Sequence, residues 1–413
     1  MKFGKRMTSS SPRSRRSRMS EASGTAVPLR FTPALSRQLL SLTLAIATVG
    51  LQSLMVAPLL TDMARDLAVG PAVIGRAVGL YGAGVALAAL ISAPRLDGWP
   101  RRRVLVLALV ALGLALAGCA LARDGVMLGA AMAACGLAAG VILPTTYALA
   151  GDLAPQALRS RAIGRVIVGW SVAMVLGVPA AALLAEQFGW RGAYAVIAGV
   201  AALAALSVLT LPAAKVPEGA RLVPYRVALA QPEVLRLLIM TLAYMLAFYG
   251  CYTFLTDHLR ATDDLGPSLG GWISLSYGLG FGLAVFGDGL LDRLGPWRVA
   301  APAFLILAGI MLLLPLAAGL SPWAVVALAL PWGIVNHFGL NVLVSLLSSG
   351  EAAVRGAVLG LYSAVTYLAH FLAGAGLGLV YAGAGFTAVA MVAAAGLAVA
   401  AGMAVLPAVT RRA

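Results

Sequence analysis

Of the 413 residues, 61% are hydrophobic and only 11% charged, and the mean hydropathy is +0.94. Soluble domains carry about 25% charged residues, so this composition excludes a string of soluble domains and points to an all-α protein that crosses a membrane many times. The formal charge of +15 invites a nucleic-acid reading, but the placement of the basic residues, given below, argues against it.

Residues 1–38 carry many basic residues and no apolar run before Leu39, which excludes a cleavable signal peptide. A disordered cytoplasmic tail is expected there, with Met19 a second possible start. Twelve apolar runs follow, each about the 20 residues a helix needs to cross a hydrocarbon core about 30 Å thick. Spans 1 to 6 are expected at 39–61, 73–93, 104–122, 126–150, 162–185 and 192–211. Spans 7 to 12 are expected at 236–256, 269–290, 299–319, 322–347, 357–382 and 386–408. The polar interval 212–235 divides an N-terminal six-helix bundle, 39–211, from a C-terminal one, 236–409.

With the N-terminus inside, the tail and even-numbered loops hold 25 of the 30 Lys and Arg; the others are Arg65, Arg76, Arg123, Arg191 and Arg260. The acids divide eight to seven. This is the positive-inside pattern, which sets topology and places both termini in the cytoplasm. No nucleic-acid partner is expected. The 47 glycines suit helices that approach closely in a bilayer, and interior prolines such as Pro58, Pro144 and Pro179 are tolerable there. Cys119, Cys135 and Cys251 all fall inside spans and offer neither a disulfide framework nor metal-ligand spacing.

The two halves repeat each other. Leu60-Thr61-Asp62 with Arg65 recurs as Leu255-Thr256-Asp257 with Arg260, and Tyr81-Gly82-Ala83-Gly84 recurs as Tyr277-Gly278-Leu279-Gly280, at offsets of 195 and 196. Asp97 and Val104 recur as Asp292 and Val299, and Arg159 and Gly164 as Arg355 and Gly360. Six spans is an even number, so both halves start on the same side. The result is a parallel pseudo-two-fold repeat, as in one large class of secondary transporters.

These features together resemble the major facilitator superfamily over residues 39–409. That superfamily carries a loop motif G-x-x-x-D-R-x-G-R-R between its second and third spans. Residues 93–102 (APRLDGWPRR) keep Asp97, Arg101 and Arg102 but neither glycine, and the second copy keeps Asp292, Arg293 and Gly295 with Asp288 at the initial glycine position. In the fifth span, Gly169, Gly177 and Pro179 resemble the signature of the drug/proton antiporter branch. The stretches WGIVNHFGLN and GAVLGLYSAVTYLAHF resemble sugar- and drug-efflux members of that branch. Two positions depart from it. Where the branch often has an acid in the first span this chain has Gln52, and where it often has an arginine in the fourth span, relative to Gly136, this chain has Met132. Neither residue can titrate.

The resemblance implies that Asp97 faces the start of span 11 near Gly356, and Asp292 the start of span 5 near Ala162, when the cytoplasmic side is closed. Asp97, Arg101, Arg102, Asp292 and Arg293 are therefore conformational gating candidates, and Arg103 a topological anchor. Polar residues inside spans are costly and read as functional. Asn336, His337 and Asn341 in span 10 and His370 in span 11 are candidates for substrate or proton handling, beside Gln52. Helical spacing puts His337 and Asn341 on one face and turns Asn336 away. The alternative is hydrogen bonding to a neighbouring helix. Tyr244, Phe248, Tyr249 and Tyr252 in span 7 suit an apolar or cationic ligand, or core packing. Asp62, Asp257 and His258 are expected at the outer mouth. The run Gly278-x-Gly280-x-Gly282 lies in an apolar span with no strand before it, which argues against a dinucleotide loop.

The expected activity is proton-coupled efflux of a small amphipathic organic molecule by alternating access. An uptake symporter or uniporter is the alternative, and a transport-like receptor without flux a distant one. No enzyme constellation, cofactor or metal site is expected. The expected partners are a small-molecule substrate, a proton and the lipid bilayer of a bacterial-type inner membrane, with the chain a monomer.

Overall fold

The computed structural model describes residues 31–96, 99–212, 223–262, 265–351 and 354–407; the side chains of 92–96, 262 and 292 also lie outside the description. Among the described residues there is no strand, and ten helical segments are long and apolar enough to cross a membrane. Two of these, Gln156–Leu209 and Arg355–Val405, run for 54 and 51 residues. At about 1.5 Å per residue each would be far longer than one crossing, so each must double back. They do so at Gly189 (φ 72°, ψ 166°) and Gly385 (φ 76°, ψ −177°). A side chain is strained at such angles, and glycine is not. The two turns stand 196 residues apart, at the repeat offset, and bring the number of crossings to twelve.

Span 1 is broken. It runs as Pro33–Leu54 and then Val56–Asp66. Pro58 has no N–H for the Leu54 carbonyl, and its ring crowds that carbonyl, so the helix re-starts at the intervening residues. The first helix also begins earlier than the apolar run, because Thr32 caps it by accepting from the Leu35 N–H at 3.2 Å. Spans 2, 3 and 4 are Pro71–Leu96, Arg101–Ala120 and Gly125–Leu153. Span 5 is Arg159–Val172, a π-helical turn Ala173–Gly177, and the helix from Val178 to Gly189. Pro179 cannot donate to the turn before it, which accounts for the wider turn there. Span 6 continues to Leu209, and a short helix, Tyr225–Leu229, leads into the second half.

Span 7 is Val234–Thr262; span 8 is Ser268–Leu283, a 3₁₀ turn Ala284–Gly287 and Asp288–Leu294. Spans 9 and 10 are Pro296–Leu320 and Pro322–Ser348. Span 11 is Arg355–Phe371 followed by a π-helical turn Leu372–Leu377, and span 12 runs from Gly385 to Val405.

The repeat is visible in packing. A Cβ on Gly136 would sit 2.1 Å from the Tyr81 carbonyl oxygen, and one on Gly333 would sit 2.0 Å from the Tyr277 carbonyl oxygen. Spans 2 and 4 therefore touch backbone to backbone, and spans 8 and 10 do the same in the second half. Dense small-residue contacts of this kind replace the hydrophobic drive that lipid cannot supply. The two bundles meet along spans 2 and 11, and along spans 5 and 8. A Cβ on Gly374 would lie 2.3 Å from the Gly75 carbonyl oxygen, and one on Gly271 3.1 Å from the Pro179 Cα.

Candidate transport pathway

The two ends of the bundle pair differ. At the end away from the basic loops, the halves are locked together. Arg260, in span 7, forms a bidentate pair with Asp62 of span 1, at 2.9 Å and 2.8 Å. Its remaining donors reach the Leu265 carbonyl at 2.7 Å and the Pro58 carbonyl at 3.3 Å. Asp257 accepts from the Thr61 hydroxyl and the Tyr381 hydroxyl, both at 2.7 Å. Glu186 of span 5 accepts from the Ser268 N–H at 3.0 Å. His258 stacks on Phe386 at 5.1 Å.

Within the first half at this end, Asp66 accepts from Arg191 and from the Trp190 indole. The Arg191 guanidinium holds the Asp66 carboxyl below the usual carboxylate range, against a smaller opposing push from burial.

At the basic end spans 5 and 8 separate, while the basic-end piece of span 11, Arg355–Phe371, stays packed on span 2. The start of span 5 packs on spans 1 and 4, and Asp288–Leu294 packs on spans 9 and 10. Arg101 pairs with Asp152, and Arg102 donates to the Leu211 carbonyl at 2.6 Å, so both expected gating arginines hold contacts inside the first half. Arg293 makes no ion pair with a described residue. Arg103 is exposed. Asp97 and its loop lie outside the described residues, as does the Asp292 side chain.

Between the two ends lies a buried aromatic cluster. Phe248 touches Tyr252, Tyr277 and Trp332, with ring centroids at 5.5, 5.5 and 6.0 Å. Tyr249 stacks on His370 at 4.0 Å, and Tyr81 of the first half meets the same imidazole edge-on at 5.6 Å. Asn336 donates to the Tyr277 hydroxyl, and the Tyr244 hydroxyl donates to the Asn336 carbonyl, each at 2.6 Å. Several buried polar atoms have no hydrogen-bond partner among the described residues, including Gln52 Oε1, Trp332 Nε1, His337 Nδ1 and His370 Nδ1. Buried polar groups are normally paired, which makes these four candidates for contact with a ligand.

Gln52 and Met132, the two departures, are brought together: the Gln52 amide points at the Met132 sulfur at 3.3 Å, and the Tyr194 hydroxyl lies 4.0 Å from the same atom. Gly169 and Gly177 sit against span 1, where a Cβ on Gly169 would come within 2.6 Å of the Thr43 carbonyl oxygen and one on Gly177 within 3.3 Å of Leu51. Pro179 faces Gly271 of span 8. His337 and Asn341 share a face, as their spacing requires, and meet Asp288.

The chain matches the Major Facilitator Superfamily over residues 42–374. It belongs to that superfamily. This member is 29% identical over 364 residues to the uncharacterized MFS-type transporter YwfA of Bacillus subtilis, covering 86% of this chain and 88% of the relative. It is 30% identical over 270 residues to a chloramphenicol resistance protein of Streptomyces lividans, covering 63% and 68%. A probable sugar efflux transporter of Pasteurella multocida is 26% identical over 291 residues, covering 70% and 72%. Among solved structures, a bacterial homolog of the human lysosomal transporter Spinster, in an inward-facing and unoccupied conformation, superposes with TM-score 0.67 at 17% identity, covering 91% and 95%. The nucleoside transporter NupG gives TM-score 0.69 at 17% identity, covering 89% and 97%. Both show the shared twelve-helix fold.

The sequence reading missed Asp288 as a side chain of the pathway, together with Tyr277, Trp332, Tyr81 and Tyr381. It matched Asp62 and Arg260 to their counterparts in the other half, but not to each other.

Proposed function

We propose that this transporter is a secondary active exporter of a small amphipathic organic molecule, driven by a proton gradient and working by alternating access. One observation carries the reading. Contacts between the halves close one end, spans 5 and 8 separate at the basic end, and between the two ends lies an aromatic cluster with unpartnered polar atoms. Broad aromatic walls with a few fixed donors and acceptors suit an amphipathic ligand. The halves 39–211 and 236–409 would rock about this cluster with 212–235 as their link, and the monomer would suffice. On this reading, which the positive-inside pattern supports, the basic end and both termini lie in the cytoplasm of a bacterial inner membrane and the arrangement is inward-open. The relatives named for chloramphenicol resistance and sugar efflux favour export.

The test is transport of radiolabelled chloramphenicol in proteoliposomes under an imposed pH difference. Export by antiport predicts opposite movements of chloramphenicol and protons. A second reading, a uniporter or uptake symporter, is favoured by the non-titrating Gln52–Met132 contact. It predicts equilibration that no pH difference biases, or proton movement in the same direction as the substrate.

A further inference from the structure

Asp288 begins the last helical piece of span 8, at the basic end. Its Oδ1 lies 2.8 Å from His337 Nε2 and accepts from the Asn341 amide at 3.1 Å, while that amide is itself 2.8 Å from Nε2. The His337 side chain is 7% exposed and Asp288 41%. The imidazole is thus sunk between spans, with its carboxylate partner half-exposed at the basic end of span 8. Its other nitrogen, Nδ1, is buried without a partner. Phe281 and Phe338 meet the ring edge-on at 5.0 and 5.7 Å. Phe281 in turn stacks on Tyr277 at 6.2 Å, which joins the trio to the central aromatic cluster.

The repeat isolates what is special here. The backbone contact of Gly136 recurs at Gly333, 197 residues later, so the first-half counterparts of His337 and Asn341 are Gly140 and Pro144. Asp288 stands at the motif position where the first half has Ala93. Where His337 sits, the first half has bare contact: a Cβ on Gly140 would lie 2.6 Å from the Val85 carbonyl oxygen. Packing needs common to both halves would put like residues in both. The polar trio is in one half alone.

We propose that Asp288 and His337, oriented by Asn341, are the proton-binding site of the transport cycle; this rests on the exporter reading above. With Asp288 ionised and the shared hydrogen on Nε2, the pair carries one negative charge. The surrounding elements bring Arg293 on span 8, Arg298 on span 9, Tyr244 on span 7, and Arg355 and Tyr362 on span 11. None of these pairs with Asp288 or His337 among the described contacts. A hydronium ion at the exposed face of Asp288 delivers its proton to the free carboxylate oxygen and leaves as water, making the pair neutral. Closing the basic end dehydrates Asp288, and a charge without a countercharge resists that while a neutral pair does not. The end therefore closes only when a proton, or a donor group of the substrate, covers the carboxylate.

The test needs no substrate. Spin labels go on Arg161→Cys and Leu294→Cys, exposed at the basic ends of spans 5 and 8, in a background without the three buried native cysteines. Distances are measured at pH 8 and pH 5. The wild type should gain a shorter-distance population at pH 5, several-fold larger than at pH 8. Asp288→Asn should show that population at both values, with no pH response. His337→Gln, which keeps a hydrogen-bonding partner for Asp288, should lose at least half the response. A full pH response in Asp288→Asn overturns the proposal, as does a wild type whose distances ignore pH. Counterflow of labelled for unlabelled chloramphenicol, run on the same proteins, reports separately on the exporter reading. Its absence in the wild type sinks that reading for this probe and leaves the spin-label outcome standing.

Discussion

Removing the carboxylate of Asp62 should unlock the end of the transporter away from the basic loops. The structure shows why the two partners are unequal. The Arg260 side chain is 4% exposed and Asp62 28%, so Asp62→Asn strands a buried guanidinium, whereas Arg260→Gln leaves a carboxylate that water can reach. Breaking a fully buried pair costs about 3–5 kcal/mol, and an exposed pair is worth about 0–1 kcal/mol. A pair buried on one side only, keeping the Leu265 and Pro58 carbonyl contacts, should fall near 2 kcal/mol, by interpolating between those limits. Both groups are wet once the end opens, so this difference acts on the conformational equilibrium and amounts to about 30-fold. Spin labels on the exposed Arg65→Cys and Ala261→Cys read it directly. Asp62→Asn should enlarge the long-distance population about 30-fold relative to the short one, and Arg260→Gln should do so less. Asp66→Asn, which breaks a pair inside one half, is the control and should change nothing. An unchanged distribution in Asp62→Asn, or an equal effect in the control, would refute the reasoning.

The remaining expectations concern packing and charge. Gly136→Ala puts a Cβ 2.1 Å from the Tyr81 carbonyl oxygen, forcing spans 2 and 4 apart at about 3 kcal/mol; the melting temperature in detergent should fall, while Gly309→Ala, with open space around it, should leave it alone. Because Arg191 depresses the Asp66 carboxyl, their contact stabilises the fold above the ordinary Asp value of about 3.9 and is lost as pH falls through the lower folded value. That side chain is 47% exposed, so Asp66→Asn should cost under about 1 kcal/mol at neutral pH and flatten the acid limb of a melting-temperature profile. Gln52→Glu puts a carboxylate beside the Met132 sulfur with no cation near and should destabilise by about 3 kcal/mol; adding Met132→Arg should recover most of it, and a stable single variant would contradict the geometry.

The crossings were legible because bilayer thickness writes itself into run length, and the turns at Gly189 and Gly385 fell in the short gaps expected at 186–191 and 383–385. The shared face of His337 and Asn341 was legible for a similar reason, since four residues make about one helical turn. Contacts across the halves were not. Asp62 and Arg260 are 198 residues apart, and matching each to its repeat counterpart suggests equivalence rather than partnership. Nothing local distinguishes Arg65, which is exposed, from Arg260, which is buried. Asp288 was visible only as a misfit in a loop motif, because its partners come from a helix about 50 residues on.

The chemistry gathers where the repeat fails. At the end away from the basic loops a strict two-fold would pair Asp62 with Arg260 and Asp257 with Arg65. The structure keeps only the first of these and gives Asp257 to Thr61 and Tyr381. At the basic end it sets Asp288, His337 and Asn341 against Ala93, Gly140 and Pro144. Matching backbone contacts in the two halves, at Gly136 and Gly333, make the bundles equivalent in packing. Equivalent bodies alone would leave no preference for one ligand at one end. On the proposal above, the Asp288–His337 pair, present in one half alone, supplies that preference, because its charge, and so the cost of closing over it, depends on what is bound.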